Sequence, residues 1–138
     1  MGYTYNMKKT ITTVLLLTLL LPVTSVQAVT KSLNTKGNKS ACKNIKASYS
    51  SETMSKWTNG MASDNDVLKE IQSNTDMLIS KQKSTTGKIK TIVSSWINIE
   101  KNTKIALVEK DVKAITNAMN FKISAITKFD KICKSIGQ

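Results

Sequence analysis

The chain has 138 residues, with 21 basic and nine acidic side chains and a formal net charge of +12. Every cation is a lysine, and neither arginine nor histidine occurs. Lack of histidine removes the commonest general base and the commonest metal ligand. Lack of arginine argues against specific nucleic-acid reading, since bidentate recognition of guanine and planar stacking are guanidinium chemistry.

The N-terminus carries the parts of an export signal in order. Lys8 and Lys9 supply charge, Ile11 to Leu21 is an apolar run, Pro22 breaks it, and Val26-Gln27-Ala28 is a small-residue cleavage site. Eleven helical residues rise only about 16 Å, roughly half of a bilayer's hydrocarbon core, so a cleaved signal over residues 1–28 fits better than a permanent anchor. The expected product begins at Val29, is periplasmic or secreted, and has room for one domain. Its lysines are spread from Lys31 to Lys134 instead of massed in a block. That distribution suits solubility or contact with an anionic surface, not a nucleic-acid arm.

Residues 29–39 are polar, without apolar periodicity, and read as a flexible leader. Helical spacing begins near Ser40, taken as an N-cap, and defines a bundle domain over 40–138. Cys42, Ile45 and Tyr49 share one face, and Met54, Trp57 and Met61 share a rotated one. The serine-rich stretch Ser48 to Ser51 between them marks a bend, and Asn59-Gly60 is a C-terminal cap. The next helix opens with capping oxygens on Ser63, Asp64 and Asp66 and continues through Val67, Leu68, Ile71, Leu78 and Ile79.

Ser84-Thr85-Thr86-Gly87 is the next break. Ile89, Ile92, Val93, Trp96 and Ile99 then recur at three- and four-residue steps, followed by a polar interval from Glu100 to Lys104. In the last segment, steps of three and four from Ile105 meet Val108, Val112, Ile115, Met119, Lys122, Ile126, Phe129, Cys133 and Ile136. This coiled-coil-like stripe has Lys122 as its one polar intruder. No glycine or proline interrupts Thr103 to Ile136, which predicts one helix about 50 Å long. Such a helix is too long for its neighbours unless it projects or breaks, with Asn117 to Asn120 the expected place.

The fold class is therefore all-α, a small helical bundle. Four helices running up-down-up-down bring the start of the first beside the end of the last, where Cys42 and Cys133 can form a disulfide. The alternative is a three-helix arrangement with a long hairpin. With two thiols and no histidine, no metal site is expected, and no motif points to catalysis or a cofactor. Trp57 and Trp96 are candidate partner contacts, set against the commoner role of such aromatics as core. The expected function is a non-enzymatic, exported helical protein that binds another protein, as secretion or pilus accessories, chaperones and inhibitors do. The alternative is a cationic effector acting on membranes or anionic cell-wall polymers.

Overall fold

The computed structural model describes residues 33–138, so the expected export signal and the first part of the expected leader, 29–32, lie outside the described residues. Five helical segments follow in chain order: α1 (Lys36–Ser48), α2 (Glu52–Thr58), α3 (Asp64–Gln82), α4 (Gly87–Glu109) and α5 (Val112–Ser135). No strand occurs among the described residues. Helix α1 packs on α3 and α5, α3 on α4, and α4 on α5, while α2 packs on α3. The result is a four-helix bundle whose first member is broken into α1 and α2.

The polar leader ends earlier than its composition suggests. Thr35, not Ser40, caps α1, its hydroxyl accepting from the Asn38 N–H at 3.1 Å. Leu33 is buried in the core. Asn38 is buried too, donating to the Leu33 carbonyl at 2.9 Å and accepting from the Thr86 N–H at 2.9 Å. Gly37 allows this approach, because a Cβ there would collide with the Ser84 carbonyl oxygen. Hydropathy misreads these residues because the polar groups are turned inward and satisfied.

The bend at the serines is a break in which α3 supplies the missing partners. Asn74 accepts from the Ser50 N–H at 3.3 Å and donates to the Ser50 carbonyl at 2.7 Å. The Glu70 carboxylate accepts from the Thr53 N–H at 2.9 Å, at the start of α2. Helix α3 begins with a reciprocal capping box between Ser63 and Asp66. Asn59 and Gly60, with Gly60 at φ +71°, end α2 as expected.

The expected long final helix does not exist as one piece. Helix α4 runs straight through the polar interval 100–104, and the chain reverses at Lys110 and Asp111. Lys110 takes the left-handed conformation at φ 55°. Its N–H donates to the Leu107 carbonyl at 3.2 Å, and the Asp111 N–H donates to the Ala106 carbonyl at 3.0 Å. That pair of bonds is a Schellman closure made without glycine. Asp111 then caps α5 by accepting from the Ala114 N–H at 2.9 Å. Helix α5 is continuous through Asn117 to Asn120, the place where a break was expected.

The reversal leaves Ile105, Val108 and Val112, the first three positions of the apolar stripe, exposed. Ile115, Phe129, Cys133 and Ile136 are buried as the stripe requires. One core group joins α1, α3, α4 and α5 around Trp96, whose ring lies 4.5 Å from Tyr49 and 5.8 Å from Phe129. A second group, with Met54, Val67, Ile71, Leu107 and Ile115, fills the end nearest the α4–α5 turn. At the opposite end, Cys42 and Cys133 form the disulfide, with Cα atoms 5.6 Å apart.

Candidate binding site

Of the two tryptophans singled out in the sequence, Trp96 is core. It is 2 % exposed, which removes it as a surface anchor. Trp57 is half-buried, and its indole N–H donates to the Asp64 carboxylate at 2.7 Å, tying α2 to the start of α3. The two do not share a site. Both follow the ordinary role of helical aromatics, which is packing.

The polar intruder of the stripe neither snorkels nor marks a bend. Lys122 lies 5 % exposed inside the bundle, its ammonium 3.1 Å from the carboxylate of the fully buried Glu100. The Tyr49 hydroxyl donates to the same Glu100 oxygen at 2.8 Å, and the Lys122 ammonium sits 5.4 Å from the centre of the Tyr49 ring. Tyr49 at the C-terminal cap of α1, Glu100 of α4 and Lys122 of α5 thus form a polar cluster inside the bundle. Burial pushes the Tyr49 phenol far above its ordinary value. The negative charge and hydrogen bond of Glu100 add to that rise, and the Trp96 indole opposes it.

A sequence signal for this cluster exists. In an antiparallel hairpin, residues equally far from the turn lie at the same height, because both helices rise equally per residue. Glu100 and Lys122 are each eleven residues from Asp111. Val93 and Phe129, and Ile89 and Cys133, stand in the same relation and share the first core group. Placing the turn at 100–104 concealed the pairing.

The uncovered surface feature is the outer seam between α4 and α5. Every residue that lines it belongs to one of these two helices. Near the disulfide end it is a depression of about 400 Å³ floored by Ile92 and Ile132 and rimmed by Lys88, Lys128 and Lys131. The depression continues between Ser95, Ile99, Phe121 and Ser124. It ends among Asn102, Ala114 and Asn117 near the turn. Phe121 stands in the middle of this path and is 64 % exposed. Sequence reading missed the seam because Phe121 lies off the heptad positions.

Among the described residues no group of three or more cysteine, aspartate or glutamate side chains comes together to hold a metal. No described helix is long and apolar enough to cross a membrane. No known protein family, curated protein or solved structure matches the chain.

Proposed function

We propose that this chain is a non-enzymatic, exported protein that binds another protein through the outer seam of α4 and α5. The single observation that carries the reading is Phe121, a large aromatic held in solvent on a rigid helix at the centre of an apolar groove. Exposed aromatics of this kind serve as anchors at interfaces, where they give much contact area for little entropy. The groove floor is made by Ile92, Ile99 and Ile132, which also pack against the core, so it is preformed. Export is supported by the N-terminal signal pattern and by the disulfide, which persists in oxidising compartments.

The test is site-specific photo-cross-linking in cells that make the protein. A cross-linker at Phe121 or Ser95 is expected to give a discrete protein adduct, and one at the exposed Ser73 of α3 none. Adducts of equal yield from all three positions, or from none, would overturn the reading.

A second reading, the cationic effector, draws on the end of the bundle away from the disulfide. Met61, in the α2–α3 loop, and Val108 and Val112, beside the α4–α5 turn, are all exposed there, with Lys110 and Lys113 next to them. An apolar end with flanking lysines suits insertion into an anionic interface. Vesicle leakage by the oxidised protein at physiological salt would favour this reading over the first.

A further inference from the structure

From the charge around the α4–α5 groove, we infer that its partner segment is an acidic amphipathic helix of about four turns, seated with its carboxylates at the disulfide end. The inference rests on the protein-binding reading above and specifies the partner's chemistry.

Three observations carry it. The first is sign. Lys88, Lys128 and Lys131 rim the disulfide end of the groove, no carboxylate lines any of its three stretches, and none of the three lysines has an ion-pair partner among the described residues. Asp130, the nearest acidic neighbour in sequence of Lys128 and Lys131, is engaged on the far side of α5 with Lys46 of α1, at 3.9 Å. The second is polarity along the groove. Positive charge falls along the groove: three lysines line the disulfide end, Lys128 alone reaches the middle stretch beside Ile99 and Phe121, and the far end is lined only by neutral and apolar groups. The first turn of α4 carries no acidic residue and Thr86 gives it no side-chain cap, so the positive end of that helix dipole adds to the lysines at the same place. The third is shape. A straight groove between two antiparallel helices accepts the ridge of a third helix. From Lys88 to Asn102, α4 rises about 21 Å, which matches a helix of about 14 residues.

Carboxylates at one end and apolar residues at helical spacing along one face are therefore the recognition pattern. Lipid headgroups are a poorer match, since the charge lies along the side of the bundle near the disulfide while Met61, Val108 and Val112 are exposed at its far end.

The experiment measures binding of designed peptides to the oxidised protein by fluorescence anisotropy. One peptide carries leucines along one face and three glutamates in one terminal turn; its counterpart has lysines in place of the glutamates. The acidic peptide is expected to bind at least about tenfold more tightly at low salt, a ratio that three rim ion pairs suffice to give. Lys128→Glu with Lys131→Glu is expected to reverse the preference, Lys88→Glu to reduce it, and Phe121→Ser to weaken both peptides. These are exposed positions, and an unchanged melting temperature confirms that each variant folds. Equal affinity for the two peptides, or a preference untouched by charge reversal, would overturn the acidic partner while leaving the docking face standing. Failure of both peptides to bind would overturn the groove as a helix site. Displacement of bound peptide by phosphatidylglycerol vesicles would overturn it in favour of a lipid surface.

Discussion

Removing Lys122 alone should be among the most damaging single substitutions in the protein. In Lys122→Met the thioether side chain has nearly the same length, so the packing changes little and the charge is what is lost. Glu100, at 0 % exposure, then keeps the Tyr49 hydroxyl as its one remaining donor, and its second oxygen has no hydrogen-bond partner among the described residues. Leaving a buried charge uncompensated costs about 3–5 kcal/mol, a large part of the 5–15 kcal/mol that holds a domain of this size. At 4–8 °C per kcal/mol, the melting temperature should fall by at least about 12 °C. Replacing both partners, as Glu100→Leu with Lys122→Met, removes both charges and leaves an unpaired Tyr49 hydroxyl, which costs about 1–3 kcal/mol. Adding Tyr49→Phe removes that cost as well. The expected order of stability has the single variant lowest, the double above it and the triple highest, close to the parent. Urea titrations of the oxidised proteins, followed by tryptophan fluorescence and circular dichroism, give the values. A cost below about 1 kcal/mol for Lys122→Met is what an exposed pair would show and would refute the buried cluster. So would a double variant no more stable than the single.

The Tyr49 phenol, raised by burial and by Glu100, keeps its proton in the folded state where the unfolded chain loses it, above about pH 10. Stability is therefore full below pH 10 and falls as pH rises beyond it, by up to about 1.4 kcal/mol per unit, and Tyr49→Phe should flatten the decline measured by urea titration. Mass spectrometry of unreduced, alkylated protein should find no alkylated cysteine, and Cys42→Ser with Cys133→Ser should cost about 4–5 kcal/mol, the entropy of a loop closed across 91 residues. Ile115→Asp should cost several kcal/mol, whereas Val112→Asp and Lys113→Asp, both exposed, should each change stability by less than about 0.5 kcal/mol; equal melting shifts would mean that Ile115 is not core. Lys110→Gly should raise the melting temperature, since glycine relieves about 1 kcal/mol of left-handed strain, less its own unfolded-state entropy.

The all-α class, the disulfide and the starts of α3 and α4 were legible because they rest on local chemistry. Ser63 with Asp66, Asn59-Gly60 and the serine bend each put a recognisable cap or break at its place. The α4–α5 reversal was not legible, because its signal is a lysine in a conformation that lysine seldom adopts, followed by an aspartate cap. The heptad count crossed that reversal because Ile105, Val108 and Val112 keep the period while facing solvent. From that one misplacement came the polar interval assigned to Glu100 and the unexplained Lys122. The polar face of a helix and a buried charged pair look alike in hydropathy until the turn between them is fixed.

Phe121 and Lys122 are the sharpest inversion of hydropathy in the chain, an aromatic in water beside a cation in the core. They cannot simply be exchanged. Successive residues on a helix stand about 100° apart, so burying Phe121 in place of Lys122 would require that much rotation of α5. The rotation would carry Ile115, Ala118, Ala125 and Phe129 out of the core and draw Cys133 away from Cys42. The disulfide and four apolar positions thus fix the register of α5, and Glu100 of α4 with Tyr49, the cap of α1, supplies what Lys122 needs inside. Phe121 is exposed as a consequence of that register. Being free of any structural duty toward the core, it can be changed to test binding without disturbing the fold, while Lys122 can be changed to test the fold without touching the groove.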